Sequence, residues 1–282
     1  MATAPSKPTT PVKTESSGNS GAFASLVIPI CFAIAVCIFI FVLGDPSHYK
    51  GGDVEKGAPT DYFGTVHKGG PIVPVLMSML MMVVVFSIER FVVIGKASGT
   101  GNVDAFVRKI NAFLNQGNID AASSECDKQK GSVANVIKSG LKKYREMELE
   151  PNLDVDQKTL AIQKDIEEAT ALEMPMLEQN LTIIATLVSV GTLMGLLGTV
   201  TGMIKAFQSL GEGGASSSSE LANGISEALI NTAIGISTSA LSIIMYNLFT
   251  SKIDKLTYAI DETGFSIVQT FAASHKNKER GY

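Results

Sequence analysis

The chain has little of what most soluble enzymes are built around. Its 282 residues include no tryptophan, three cysteines and three histidines, and only 18% of them are charged. The cysteines show no C-x-x-C spacing, and the histidines, at positions 48, 67 and 275, are scattered along the chain. This excludes a disulfide framework and predicts no metal centre.

The charge balance and the catalytic motifs are equally sparse. The formal net charge is -4, so no electrostatic argument favours a nucleic-acid partner. We find no nucleophile beside a base, no phosphate-binding loop and no metal-ligand cluster. The sequence therefore predicts neither enzymatic activity nor a cofactor.

Long apolar runs are what the chain has instead. Hydrophobic residues make up 45% of it, and four runs qualify as membrane spans: Phe23–Leu43, 71–94, 181–204 and 225–249. A bilayer takes about 20 residues of helix to cross. The sequence therefore predicts an all-α membrane protein with four transmembrane helices, whose long helices extend into a cytosolic helical domain.

The first run also resembles a cleaved signal peptide in its position. Its upstream region is long and weakly basic, its apolar core is too long, and no small-residue cleavage site follows. We therefore interpret it as a retained anchor.

The segments between the spans differ in composition. Residues 95–180 repeat apolar residues at helical spacing, and Pro175 is expected to kink the helix just before the third span. The predicted divisions are a disordered cytosolic N-terminus (1–21), an extra transmembrane helix (22–43), a periplasmic loop with little helix (44–70), a transmembrane helix (71–94), a cytosolic helical domain (95–180), a transmembrane channel hairpin (181–250), and a cytosolic C-terminal helix and tail (251–282).

The orientation follows from the basic residues near the span ends. The tail after the fourth span is basic, whereas the loop at 211–224 has no lysine or arginine. The tail, the N-terminus and residues 95–180 are therefore predicted to be cytosolic. The three lysines of the 44–70 loop argue the other way for the first span, and we give the C-terminal charges more weight.

The last two spans each carry a stripe of small and hydroxyl residues. At about 100° per residue, the members of each stripe share one helix face. The third-span stripe is Thr192, Gly195, Thr199 and Gly202, and the fourth-span stripe is Thr232, Gly235, Ser239, Ser242 and Tyr246. Two interpretations stay open: a polar pathway, or close helix packing with each hydroxyl bonded to its own i−4 carbonyl.

Glycine spacing and buried charges add further expectations. The glycines at 191, 195, 198 and 202, including Gly195, Gly198 and Gly202, allow close helix approach, so we expect the two spans to face the inside of a homo-oligomer. Glu227 is a functional candidate as an intramembrane carboxylate, or else a carboxylate favoured by a helix N-terminus. Arg90 and Lys205 are expected to extend toward the lipid head groups.

One absence limits what the stripes can do. Mid-membrane, the last two spans contain no Asp, Glu or His. A threonine hydroxyl can relay a proton but cannot store one near neutral pH. If protons cross here, the titrating carboxylate must come from another polypeptide.

Three phrases resemble those of the MotA/TolQ/ExbB proton-channel family. Gly-Leu-Leu-Gly-Thr-Val-Thr-Gly-Met-Ile at 195–204 is similar to the family's G-L-x-G-T-V-x-G-I-M. Gly-Ile-Ser-Glu-Ala-Leu-Ile-Asn-Thr-Ala-Ile-Gly at 224–235 is closer still to its fourth-helix phrase, and Ser-Ile-Glu-Arg-Phe at 87–91 resembles the end of its first span. The resemblance covers roughly 71–260 and is strongest to the ExbB branch of the TonB energy-transducing system.

The resemblance implies a proton-channel subunit of a bacterial inner-membrane motor. Such a subunit forms a homopentamer around an ExbD-like, single-span partner that supplies an aspartate. It uses the proton motive force to energise TonB-dependent outer-membrane transport through a TonB-like protein. Thr199 and Thr232 correspond to the family's channel threonines, and Glu227 to its fourth-helix glutamate. The resemblance therefore places these three residues in the proton pathway.

Two features depart from the family pattern: the extra N-terminal span and Lys205, which stands where an uncharged residue is expected. Three alternatives stay open: a TolQ-like subunit, a gliding-type motor subunit and a non-conducting membrane scaffold.

Overall fold

The computed structural model describes residues 18–54, 57–211 and 217–279, and these fold into helices without a strand. The helices are α1 (Gly18–Cys37, continued by a π-helical turn over Ile38–Leu43), α2 (Tyr62–His67), α3 (Val73–Ala97), α4 (Val103–Asn115), α5 (Ile119–Gln129), α6 (Gly131–Leu149), α7 (Val155–Glu178), α8 (Leu181–Gly211) and α9 (Ser217–Glu279). The predicted disorder of 1–21 is wrong for the end of that segment, because α1 begins at Gly18; residues 1–17 lie outside the described ranges.

Four helical stretches are long and apolar enough to cross a membrane, which confirms the four predicted spans. They are Phe23–Leu43, Val73–Ala97, and parts of the longer stretches Val155–Gly211 and Glu220–His275. The protein is therefore an all-α, multi-pass membrane protein. Below, the loop end of the molecule is the end where the 44–70 segment lies, near the end of α8 and the start of α9.

The described parts of the 44–70 segment, residues 44–54 and 57–70, form a folded loop with one short α-helix, α2. Asp61 starts α2 by accepting a hydrogen bond from the Gly64 amide at 2.9 Å, a typical N-cap interaction. The Tyr49 side chain is buried, and its hydroxyl lies 2.7 Å from Nδ1 of His67. Burial, together with the nearby charge of Lys68, lowers the pKa of His67, so its neutral form is favoured. The segment therefore has a small core of its own.

The break between α7 and α8 lies later than predicted. Helix α7 continues through Pro175 to Glu178, and the chain turns at Gln179 and Asn180. Asn180 adopts φ +61, a left-handed conformation that asparagine tolerates better than most residues and that ends a helix. The helix end leaves backbone carbonyls without amide partners.

Arg90 supplies donors to those carbonyls. Its Nη1 donates to the carbonyls of Met176 and Leu177 at 3.1 and 3.2 Å, and its Nε donates to Glu89 at 2.6 Å. Arg90 is 2% exposed. The expectation that it extends to the head groups is therefore wrong, because the end of α7 offers it buried acceptors. Arg90 ties α3, about two turns before its end at Ala97, to the α7–α8 break.

The fourth span and the predicted C-terminal helix are one helix. Helix α9 runs without interruption from Ser217 to Glu279, so the predicted separate helix after Phe249 is wrong. The sequence from 236 to 263 holds no glycine or proline, and a change in polarity alone does not end a helix. Beyond the membrane-spanning part, α9 packs on α4, α6 and α7 as the polar bundle. Its buried contributions to that bundle include Ile253, Leu256, Ile260, Ile267 and Phe271.

Replacing Arg90 with methionine tests its role at the α7–α8 break. We expect Arg90→Met to cost about 3 kcal/mol, because two helix-end carbonyls and Glu89 lose a buried charged donor. This corresponds to a fall of about 5–10 °C in the melting temperature of the purified protein. Arg145→Met is the matched control, since the Arg145–Asp120 pair is largely exposed and should contribute little. Equal shifts for the two variants would contradict the role assigned to Arg90.

Candidate functional site

Helices α8 and α9 form an antiparallel hairpin whose backbones touch. The face of α8 toward α9 is made of Gly191, Gly195, Gly198 and Gly202, all buried. A Cβ added to Gly202 would lie 2.8 Å from the Gly224 carbonyl oxygen, and one added to Gly235 would lie 2.7 Å from the Gly191 carbonyl oxygen. Side chains of any size would separate the two helices. We call these six glycines the glycine seam.

The glycine seam packs within one chain. The glycines are covered by α9 of the same chain. That the two spans face the inside of a homo-oligomer stays a prediction. The outward side of α8 is apolar. It exposes Leu193, Leu196, Leu197, Val200, Ile204 and Phe207.

Two pairs of hydroxyls meet across the rim of the seam. The Thr199 and Thr232 hydroxyls are in direct contact, and each is also within hydrogen-bond distance of a backbone carbonyl, that of Gly195 at 3.2 Å and that of Ala228 at 3.1 Å respectively. Thr192 donates to Ser239 at 2.8 Å. Seven residues separate Thr192 from Thr199, which is about 10.5 Å along a helix, so the pairs do not touch each other.

Five further hydroxyls of the two spans follow the packing interpretation. Each donates to the carbonyl four residues earlier in its own helix, which satisfies it without a partner on another helix. These are Thr186, Thr201, Ser237, Thr238 and Ser242. Of the predicted stripes, the structure thus brings together Thr199 with Thr232 and Thr192 with Ser239, while Gly195, Gly202 and Gly235 form the contact behind them.

Asn231 belongs to this site and was not singled out from the sequence. It is fully buried, and its Nδ2 donates to the Gly69 carbonyl at 2.9 Å, which ties α9 to the turn before α3. Its Oδ1 is buried without a hydrogen-bond partner among the described residues. A Cβ on Gly198 would overlap the Asn231 side chain. An amide inside an apolar span, one residue before Thr232, was the signal that could have identified it.

Glu227 lies at the loop end of the seam, and Lys205 neutralises it. Lys205 Nζ is 2.6 Å from Glu227 Oε1, and the carboxylate rests against Gly70, where a Cβ would overlap it. The Glu227 side chain is 9% exposed and that of Lys205 is 52% exposed. The expectation that Lys205 extends to head groups is wrong, because its ammonium group turns toward Glu227.

The helix-terminus interpretation of Glu227 is also wrong. Helix α9 begins at Ser217, so Glu227 lies almost three turns inside it. The favourable interaction of a carboxylate with a helix N-terminus falls off within the first turn. Among the described residues, no group of three His, Cys, Asp or Glu side chains could hold a metal ion.

The fold and site define a multi-pass membrane protein whose last two spans form a glycine-packed hairpin with paired hydroxyls. Residues 128–262 match the model of the MotA/TolQ/ExbB proton channel family. Over this segment, just under half of its length, the chain is similar to a family of channels, and with its four spans it is a multi-pass protein of the inner membrane.

Several curated relatives are similar to parts of the chain. The Tol-Pal system protein TolQ of Pseudomonas aeruginosa is 31% identical over 135 residues, which is 48% of this chain and 58% of that protein. The putative biopolymer transport protein ExbB-like 3 of Synechocystis is 38% identical over 88 residues, covering 30% of this chain and 42% of that protein. The biopolymer transport protein ExbB of Aquifex aeolicus is 39% identical over 77 residues, covering 27% and 52% respectively. The matches thus span between about two fifths and three fifths of these relatives.

The contact between Gly198 and Asn231 makes a sharp prediction. Gly198→Ala adds a methyl group that overlaps Asn231, and we expect it to destabilise the hairpin by about 2 kcal/mol through overpacking. Gly95→Ala on α3 is the matched control, because nothing lies within 4 Å of its added Cβ. Thermal unfolding of the purified chain compares the two. A Gly198→Ala variant as stable as Gly95→Ala would contradict the close contact.

Proposed function

We propose that this chain is a proton-channel subunit of an inner-membrane motor that uses the proton motive force to energise TonB-dependent outer-membrane transport. One observation carries the proposal. The hydroxyls of Thr199 and Thr232 meet between two membrane-spanning helices, on the half-exposed rim of the glycine seam. Each also bonds to a carbonyl of its own helix, as the neighbouring hydroxyls do, but these two in addition contact each other across the seam.

A contacting hydroxyl pair is suited to relaying a proton. Each hydroxyl has one proton to donate and two lone pairs to accept with, so a proton accepted by one can be matched by a proton donated from the other. The pair cannot hold the extra proton near neutral pH. The relay therefore serves a carboxyl group that does the storing.

That carboxyl group is supplied by a partner in this proposal. In the described parts of the last two spans, the acidic residues lie toward the ends and none is level with the threonine pair. An ExbD-like, single-span protein with a membrane aspartate would fill this role inside a homopentamer of the chain. Each proton that moves down 100 mV releases roughly 2.3 kcal/mol, so one or two can drive a conformational step of a few kcal/mol. A TonB-like protein would receive the work.

A TolQ-like role is the second candidate. It is favoured by the similarity to the Tol-Pal system protein TolQ, which extends over 135 residues. The two candidates share the channel and differ in the partners that receive the work. Mass spectrometry of proteins that co-purify with the chain separates them: ExbD-like and TonB-like proteins support the first, and Tol-Pal components support the second.

The orientation of the chain is part of the proposal. We place both ends and residues 95–180 in the cytosol, on the basic tail after the fourth span. Single cysteines at position 120 and in the 44–70 segment, in a background without the native cysteines, test this with an impermeant thiol reagent. We expect labelling in the 44–70 segment of sealed cells and none at position 120. Labelling at position 120 would show that this region faces the outside and would contradict the proposed topology.

Valine substitutions of the two threonines test the relay. Thr199→Val and Thr232→Val keep the shape and remove the hydroxyl, so we expect each to lower proton-dependent uptake at least about tenfold. Thr199→Ser and Thr232→Ser keep the hydroxyl and should have mild effects. Native mass measurement should show unchanged assembly in all four variants. If the double valine variant keeps full uptake, the hydroxyls only pack helices and the scaffold alternative is preferred.

A further inference from the structure

The Lys205–Glu227 pair closes the loop end of the glycine seam. Three separate elements build it: Lys205 comes from α8, Glu227 from α9, and Gly70 from the turn before α3 packs against the carboxylate. One helical turn further along α9, Asn231 holds the carbonyl of Gly69 in the same turn. The carboxylate is therefore fixed in position. Because the Glu227 side chain is only 9% exposed, the Lys205 ammonium replaces most of the water that would otherwise solvate its charge.

The pair lies close enough to the threonines to influence ions there. Lys205 is six residues from Thr199, about 9 Å along α8, and Glu227 is five residues from Thr232, about 7.5 Å along α9. The groove that exposes Thr199 is lined by Val200, Met203, Ile204 and Phe207 and extends toward the loop end. The Lys205–Glu227 pair does not line this groove, so its influence on an ion near the threonines is electrostatic.

An unpaired charge at this place would have a large effect. At about 9 Å and an effective dielectric constant of about 20, a unit positive charge lowers the local population of a monovalent cation roughly 20-fold. With its ammonium 2.6 Å from the carboxylate, Lys205 cancels most of that field. Removing Glu227 alone would expose the full charge of Lys205 at the mouth of the seam.

We propose that Lys205 and Glu227 act together as an electrically neutral mouth for the proton pathway, in which Glu227 is the counter-ion of Lys205 and does not itself carry protons. This inference rests on the proposed function. Lys205 is a positioning residue in it, because it holds the Glu227 carboxylate and does not contact the hydroxyl pair. It follows that the effect of losing Glu227 depends on whether Lys205 is present.

A double-mutant cycle in proton-conducting vesicles tests the inference. The full chain, together with the single-span protein that co-purifies with it, is reconstituted in vesicles that contain a pH-sensitive dye. We expect Glu227→Gln to slow proton entry roughly 20-fold, since the lysine charge is then unpaired. The double variant Lys205→Met with Glu227→Gln restores a neutral mouth and should return close to the wild-type rate. Native mass measurement checks that every variant assembles.

The control removes a lysine from the other end of the membrane bundle. Lys252 lies over the Phe91 ring, 4.2 Å from its centroid, far along α9 from Glu227. Combining Lys252→Met with Glu227→Gln changes the total charge by the same amount as the first double variant, so it should stay as slow as Glu227→Gln alone. Recovery with Lys252→Met would show a general effect of charge and would overturn the inference.

The remaining outcomes separate this inference from the proposed function. If the wild type conducts, the threonine-to-valine variants block it, and the Lys205→Met double variant stays slow, then Glu227 carries protons itself and only the neutral mouth is overturned. If Glu227→Gln alone leaves conduction unchanged, the unpaired Lys205 charge has no effect and the neutral mouth is overturned, while the proposed function stands. If the wild type passes no protons with its partner, the proposed function fails and the neutral mouth fails with it.

Discussion

The contact between the α8 and α9 backbones is the constraint on which the site depends. Four glycines on α8 and two on α9 let the helices approach until backbone atoms touch. At this separation, short hydroxyl side chains such as Thr199 and Thr232 can reach each other, and Lys205 can reach Glu227. With alanine or larger residues along the seam, the helices would stand further apart and each hydroxyl would find only its own backbone. The glycines thus set the distance at which the side chains of the two helices can meet.

The same seam explains why much of the organisation could be predicted from the sequence and why several contacts could not. The spans were predictable because about 20 apolar residues suffice to identify one. Periodicity also placed Thr199 and Thr232 on the faces that meet. It could not identify the partner of Arg90 at Met176 or that of Asn231 at Gly69, because periodicity gives a face of one helix and not the element opposite it. The amphipathic stretch after the fourth span was taken as a new helix, although nothing in the chain interrupts α9.

Buried polar groups fix the hairpin to the rest of the membrane bundle at both of its ends. At the loop end, Asn231 and Glu227 hold the Gly69–Gly70 turn that leads into α3. At the opposite end, Arg90, about two turns before the end of α3, binds the carbonyls of the α7–α8 break. Leaving any of these groups without its partner is costly in an apolar surrounding. Helix α3 is therefore attached to the hairpin at two levels by hydrogen bonds. These bonds fix the position of α3 along the hairpin, whereas apolar packing alone would let the helices slide past each other.

The two helices of the hairpin differ in how they continue beyond the membrane. Helix α8 is separated from α7 by the turn at Asn180, whose left-handed conformation ends one helix before the next begins. Helix α9 has no such break, and the same helix that carries Thr232 also buries Ile260 and Phe271 in the polar bundle. A rotation of α9 about its axis in the membrane must therefore turn its packed face in the bundle as well, whereas a movement of α8 can be absorbed at Asn180. Movements at the threonine pair are thus expected to reach the polar bundle through α9. The Arg90 contacts limit how far the α7–α8 break can bend.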